Sequence, residues 1–114
     1  MTIAELSERL CAFLAGSRTT FDDVELDLSW CTPFQSSIAR VLRTVAYGTT
    51  VTYGELAALA GYPNAQRAAG TFCAQNRLPI FLACHRVVAA GGLGSYGSLG
   101  VGYKRRLLEL ERAV

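Results

Sequence analysis

Thr52-Tyr53-Gly54-Glu55-Leu56-Ala57-Ala58-Leu59-Ala60-Gly61-Tyr62-Pro63-Asn64-Ala65-Gln66-Arg67-Ala68-Ala69-Gly70-Thr71-Phe72-Cys73-Ala74-Gln75 is the stretch that decides the fold. Thr52 with Glu55 three residues later is a capping box, in which a hydroxyl and a carboxylate satisfy backbone N–H groups that a helix start leaves open. Leu56, Ala57, Leu59 and Ala60 carry a short helix to Gly61, which stops it. Pro63-Asn64 restarts the chain, and residues 65–75 predict another helix. Two short helices joined by Gly61-Tyr62-Pro63-Asn64 are a helix-turn-helix candidate. Ala65, Ala68, Ala69, Gly70 and Ala74 make the second helix slim. Small side chains let a backbone approach another surface closely, and they serve tight helix–helix packing equally well.

Upstream, Thr32-Pro33-Phe34-Gln35 is another helix start, with Thr as cap, proline in the first turn and Gln three residues after the cap. Phe34, Ile38, Val41, Leu42 and Val45 recur at helical spacing, and Gly48 ends that element. Residues 3–15 predict an amphipathic helix with Ile3, Leu6, Leu10, Phe13 and Leu14 on one stripe and Gly16 as its stop. Cys11 lies near that stripe. Residues 17–31 form a connector in which Asp22, Asp23, Glu25 and Asp27 alternate with apolar residues, a pattern that predicts a solvated face.

Downstream, the apolar run over 78–88 predicts a short buried strand with an extended continuation. Cys84-His85-Arg86 interrupts it, bringing a thiol, a potential base and a guanidinium together. Only the thiolate is a nucleophile, and an unperturbed cysteine is mostly protonated at neutral pH. His85 is the only histidine, so imidazole-assisted chemistry must use it. A cysteine after an apolar strand is also commonly a small buried hydrophobe. Residues 91–102 carry six glycines without G-K-[ST], which predicts a loop or hairpin and gives no support to a phosphate-binding P-loop. Tyr103 to Ala113 predicts the last helix, with Leu107, Leu108 and Leu110 apolar.

Composition sets the bounds. The chain has 114 residues, 51% of them hydrophobic, which fits one domain over 1–114: a helix and connector to residue 31, then the helix-turn-helix and the Cys84 region. A net charge of +2 permits DNA binding without arguing for it. Lys104 is the only lysine. The four cysteines form no C-x-x-C pair and have no zinc spacing with His85, so no metal and no cofactor is expected. No run reaches membrane-spanning length and no secretory signal is evident. A cytoplasmic location, with free thiols, is the expectation.

From about Leu6 to Glu111 the chain resembles the C-terminal domain of the methylated-DNA–protein-cysteine methyltransferases, the 6-O-alkylguanine repair proteins. The matching pieces are Thr32-Pro33-Phe34-Gln35, Val51-Thr52-Tyr53-Gly54-Glu55-Leu56-Ala57, Arg67-Ala68, Asn76-Arg77-Leu78-Pro79, Cys84-His85-Arg86-Val87-Val88, Gly94-Ser95-Tyr96, and Lys104 through Leu107-Leu108 to Glu111. The resemblance implies a mostly helical α/β, winged helix-turn-helix-like domain. It also implies a monomer that flips an alkylated guanine out of duplex DNA and moves the alkyl group permanently to its own cysteine.

By that resemblance the catalytic residues are Cys84, His85, Glu111 and Tyr53. Cys84 is the acceptor, His85 the base that takes the thiol proton through a water, and Glu111 the carboxylate that orients the imidazole. Tyr53 directs its hydroxyl at the purine N3. Arg67 resembles the arginine that fills the gap left by the flipped base, an extrusion that costs a few kcal/mol. Ala65, Ala68, Ala69 and Gly70 are the small residues of a recognition helix that enters the minor groove. Asn76, a hinge, and Arg86 complete the DNA-facing set, while Tyr53, Val87, Tyr96 and Gly97 form the base pocket.

The chain departs from the family pattern at Ala83, where proline is usual before the acceptor. Alanine loosens the constraint on Leu82 and adds an N–H in need of a partner. Gly97 and Ser98 also differ from the common choices. The family's N-terminal ribonuclease-H-like domain has no counterpart, a truncation shared with the alkyltransferase-like proteins, which bind alkylated DNA and recruit excision-repair proteins without transfer. Those usually carry tryptophan at the acceptor position, whereas this chain has Cys84. A helix-turn-helix regulator without base flipping is a further alternative.

Overall fold

The computed structural model describes residues 2–76, 78–94 and 100–112. Among the described residues, five α-helices accompany a two-stranded parallel sheet: α1 (Ile3–Leu14), α2 (Pro33–Leu42), β1 (Val51–Thr52), α3 (Tyr53–Leu59), α4 (Gln66–Ala74), β2 (Val87–Val88) and α5 (Gly100–Leu110). A 3-10 turn, Cys84–Arg86, precedes β2. The mostly helical α/β class expected from the sequence is the one found.

The caps form as their residue types dictate. Thr32 and Gln35 close a capping box on α2, and Thr52 and Glu55 close one on α3. Thr2 caps α1 by accepting from the Glu5 N–H. The turn between α3 and α4 needs left-handed backbone at Gly61 (φ +92°) and Asn64 (φ +69°), conformations that Gly and Asn adopt at least cost.

The core draws on every helix. Ile38, Ala39 and Leu42 of α2, Leu56 and Ala57 of α3, Phe72 of α4 and Leu107 of α5 pack with Phe13, Leu82 and Val87. Phe13 meets Phe21 and Tyr47 edge-on at 6.0 and 6.1 Å between ring centroids. The acidic residues of the connector are exposed, as their alternation predicts, while Phe21 faces inward. Arg43, at the end of α2, donates to the carbonyls of Phe21, Asp22 and Val24 and fixes the connector to the domain.

Three expectations change. Helix α2 stops at Leu42, with Val45 buried beyond it in a turn. Helix α5 starts at Gly100, three residues before Tyr103. The 78–88 strand reduces to Val87–Val88, because the Asn76 side chain supplies partners that a strand neighbour would otherwise give. Its Nδ2 donates to the Leu82 carbonyl (2.9 Å) and its Oδ1 accepts from the Leu78 N–H (2.8 Å). Ile80 is then left-handed at φ +75°.

Candidate active site

The sheet register positions the site. Val51 pairs with Val87 and Thr52 with Val88, so the start of α3 lies alongside the exit of the 3-10 turn. Parallel strands require a crossover connection, and here the helix-turn-helix lies within it. Tyr53, Arg67 and Cys84 are thereby carried on one folded unit.

His85 is fully buried. Its Nε2 lies 2.7 Å from Glu111 Oε2. Glu111 also accepts from Arg86 Nε (2.9 Å) and Nη2 (2.9 Å) and from the Gly48 N–H (3.1 Å). Burial pushes the Glu111 carboxyl up, but its bonds to His85, Arg86 and Gly48 outweigh burial and hold it at about 2. Burial lowers the His85 pKa more than Glu111 raises it. A neutral imidazole beside an ionised carboxylate must place its proton on Nε2. Nδ1 then presents a lone pair, and it is buried with no hydrogen-bond partner among the described residues.

Cys84 is 1% exposed. A hydrogen bond with the Cys73 thiol, followed by burial, pushes its pKa well up. A hydrogen bond from Asn76 and the charge of Lys104 act in the opposite direction. Lys104 is itself fully buried; burial lowers its pKa while Cys73 and Cys84 favour the ammonium. Its Nζ donates to the Tyr53 hydroxyl at 3.3 Å and lies 5.4 Å from the Tyr53 ring centroid.

Tyr53 opens α3, half-buried, and its ring sits between two glycines. A Cβ on Gly70 would meet it at 3.8 Å, an ordinary contact, whereas one on Gly94 (φ +74°) would lie 2.8 Å from its hydroxyl. A cleft of about 930 Å³ is lined by Tyr53, Arg67, Thr52, Asn64, Gln66 and Ala89 among others. Tyr53 thus lines this cleft while its hydroxyl meets the buried Lys104.

The structure brings Cys84, His85, Glu111 and Tyr53 into one neighbourhood, and it exposes Arg67 and Ala68 on α4. Ala65 is half-buried at the start of α4. Ala69 is fully buried and Gly70 faces Tyr53, so these two serve packing between α3 and α4; Ala69 has no surface to offer DNA. Asn76 turns its amide inward as a brace for the 76–82 segment. Arg86, expected toward DNA, directs its guanidinium at Glu111 and at the Val45 carbonyl (2.8 Å), because a buried carboxylate holds the nearest cation. Val87 is buried behind the site. Tyr96 and Gly97 lie outside the described residues. Ala83 has φ −76°, inside the range that a proline imposes, so the backbone keeps a proline-like course.

Sequence reasoning gave no site role to Lys104 or Gly94, took Gly48 only as a helix stop and left Cys73 as structural. For Lys104 a signal existed: it stands three, four and seven residues before Leu107, Leu108 and Glu111, on the stripe that faces inward. For the others none did, since their parts come from neighbours distant in sequence.

A family profile described as 6-O-methylguanine DNA methyltransferase, DNA binding domain, matches residues 33–113. Over 107 residues the chain is 46% identical to a methylated-DNA–protein-cysteine methyltransferase of Mycobacterium bovis, covering 93% of this chain and 63% of that protein. A Methanopyrus kandleri protein of the same name is 41% identical over 114 residues, covering 99% of this chain and 83% of its own length. The crystal structure of Mycobacterium tuberculosis OGT in complex with DNA superimposes with a TM-score of 0.88 at 44% identity, covering 96% of this chain and 67% of that one. The chain thus spans 63% of the length of the Mycobacterium bovis relative. With the profile covering the helix-turn-helix, the Cys84 turn and Glu111 together, this chain belongs to the 6-O-methylguanine DNA methyltransferase family.

Proposed function

We propose that this protein is a single-turnover DNA-repair alkyltransferase that takes a methyl or larger alkyl group from 6-O-alkylguanine in duplex DNA onto Cys84. The observation that carries this reading is the His85 ring: Nε2 is bound to an ionised Glu111, and Nδ1 is left as a buried acceptor one residue from a thiol. The relatives' name and the DNA in the mycobacterial complex support it.

The steps follow from the side chains. The Cys84 proton passes to His85 Nδ1, through a water in the arrangement that the family resemblance implies, and Glu111 stabilises the imidazolium. The thiolate attacks the alkyl carbon in line with the bond to O6. The C–S bond forms as the C–O bond breaks, and the electron pair passes into the purine. Tyr53 delivers a proton to N3; the Lys104 ammonium, donating to the phenol oxygen, makes that proton easier to release. The thioether does not reverse, so each molecule acts once. Arg67, exposed beside the cleft, fills the gap left by the flipped base. The partner is duplex DNA bearing the lesion, met by a monomer in the cytoplasm.

The test is incubation with a duplex containing 6-O-methylguanine, followed by peptide mass measurement. A methylene-sized gain on the Cys84 peptide is expected, and its absence refutes transfer. A second reading is favoured by one observation, the raised pKa of the resting thiol. It is a lesion-binding protein that recruits excision-repair proteins, and it requires tight lesion binding with Cys84 unmodified and binding undiminished in Cys84→Ala.

A further inference from the structure

Tyr47 takes no part in the steps of alkyl transfer, yet it touches three residues next to the His85–Glu111 pair. It stands half-buried in the turn between α2 and β1. The Arg86 guanidinium lies over its ring, 5.7 Å from the centroid. Its hydroxyl donates to the carbonyl of Leu110, the residue before Glu111, at 3.4 Å. Phe13 meets Tyr47 edge-on at 6.1 Å and His85 at 6.3 Å between ring centroids. The chemistry of Arg86 gives the ring its use. Along its edges the guanidinium donates Nε and Nη2 to Glu111 and Nη1 to the Val45 carbonyl. Its flat faces donate nothing, and an aromatic face is the surface that suits them. Tyr47 lines a cavity of about 520 Å³ that reaches Arg86 and another of about 570 Å³ that reaches Glu111. A smaller side chain at position 47 would give the guanidinium room to leave the carboxylate. The exposed Arg18 also lies over the ring, at 5.6 Å.

We propose that Tyr47 is a positioning residue of the acceptor site: its ring holds the Arg86 guanidinium against Glu111 and so fixes how that carboxylate is shared between Arg86 and His85. Arg86 Nη2 and His85 Nε2 meet the same oxygen, Oε2, at 2.9 and 2.7 Å. A guanidinium held in place draws on the charge of the carboxylate; one released leaves that charge to the imidazole. Burial lowers the His85 pKa most; Glu111 raises it, and the charges of Arg86 and Lys104 lower it. Tyr47 thereby sets how readily His85 accepts a proton. The placement of these side chains is independent of the alkyl-transfer reading; only its consequence for repair rests on that reading.

The test uses the whole untagged chain with nitrogen-15 in its one histidine, so that nuclear magnetic resonance follows both ring nitrogens without substrate. In Tyr47→Leu, confirmed as folded by its melting curve, the His85 titration midpoint should move up toward the ordinary 6.5; Tyr47→Met is the second variant. Tyr47→Phe keeps the ring and should titrate as the parent does. In an Arg86→Met background, Tyr47→Leu should add no further shift, because the ring acts through the guanidinium. The acid limb of the single-turnover rate of methyl transfer should move with the midpoint in each variant. A midpoint unmoved in both Tyr47→Leu and Tyr47→Met overturns the proposal. So does a Tyr47→Phe shift as large as that of Tyr47→Leu. A Tyr47→Leu shift that persists in full without Arg86 also overturns it, since the ring would then be packing alone. If the parent transfers no methyl group, the functional reading fails while the titration still decides the role of Tyr47.

Discussion

The carboxylate of Glu111 and the imidazole of His85 lie 2.7 Å apart, both shielded from solvent, across a sequence separation of 26 residues. Because Arg86 and the Gly48 N–H also bind that carboxylate, the imidazole has one tautomer and one orientation. Glu111→Gln keeps the shape and removes the charge. It leaves the Arg86 guanidinium unpaired and frees the imidazole to flip. We expect stability to fall by about 3 kcal/mol, the cost of breaking a buried pair. Methyl transfer should slow by about 100-fold, the scale of a general base's contribution. Denaturant melts and single-turnover rates check both; a variant as fast as the parent removes Glu111 from the mechanism.

Acid should unfold the protein in two stages. The folded pKa of His85 lies below its ordinary value of 6.5, so the stability it contributes is present above that pH and is lost as the pH falls below it. Glu111, at about 2 against an ordinary 4.5, contributes stability that is present above pH 4.5 and is lost as the pH falls toward 2. The melting temperature should be level above pH 7, decline below 6.5, and decline more steeply below 4.5, the last stage being shallower in Glu111→Gln. A melting temperature constant from pH 7 to 3.5 contradicts this.

Gly70 and Gly94 flank the same ring and should respond oppositely to alanine. At Gly94 the added methyl strikes the Tyr53 hydroxyl and the backbone is left-handed, so Gly94→Ala should cost about 1–3 kcal/mol and displace the phenol. At Gly70 the contact is ordinary and the residue is helical, so Gly70→Ala should gain about 0.5–1 kcal/mol. Thermal melts of the two variants decide it, and equal shifts refute the described placement of Tyr53.

Lys104→Met keeps the length of the side chain and deletes its charge. Removing a buried ammonium relieves its desolvation, so stability should not fall by more than about 1 kcal/mol. The Cys84 thiolate loses the Lys104 charge that favours it, and its pKa should rise further. The pH profile of alkylation by iodoacetamide measures this directly. An unmoved profile shows that Lys104 has no bearing on the thiol.

Arg67→Ala separates DNA engagement from thiol chemistry. The side chain is exposed on α4 and borders the open cleft. Lesion binding should weaken, with the salt slope reduced by about one. Alkylation of Cys84 by iodoacetamide should not change. Equal binding by variant and parent rules out the plug role.

The sequence by itself determined the starts of α2 and α3, the helix-turn-helix and the family. Capping boxes at Thr32-Gln35 and Thr52-Glu55 are local, satisfied within one turn of chain, and need no tertiary partner to be legible. Only the tertiary structure decided what the site residues touch. It gave Arg86 to Glu111, Ala69 to the core, Lys104 to Tyr53 and Cys73 to Cys84. It also shortened the 78–88 strand, because one side-chain amide, that of Asn76, took the backbone partners of its neighbours. The reason is the same in each case. A buried charge, thiol or polar group is stable only with a partner, and at His85, Lys104 and Cys84 that partner stands 26, 51 and 11 residues away, where no local pattern can announce it.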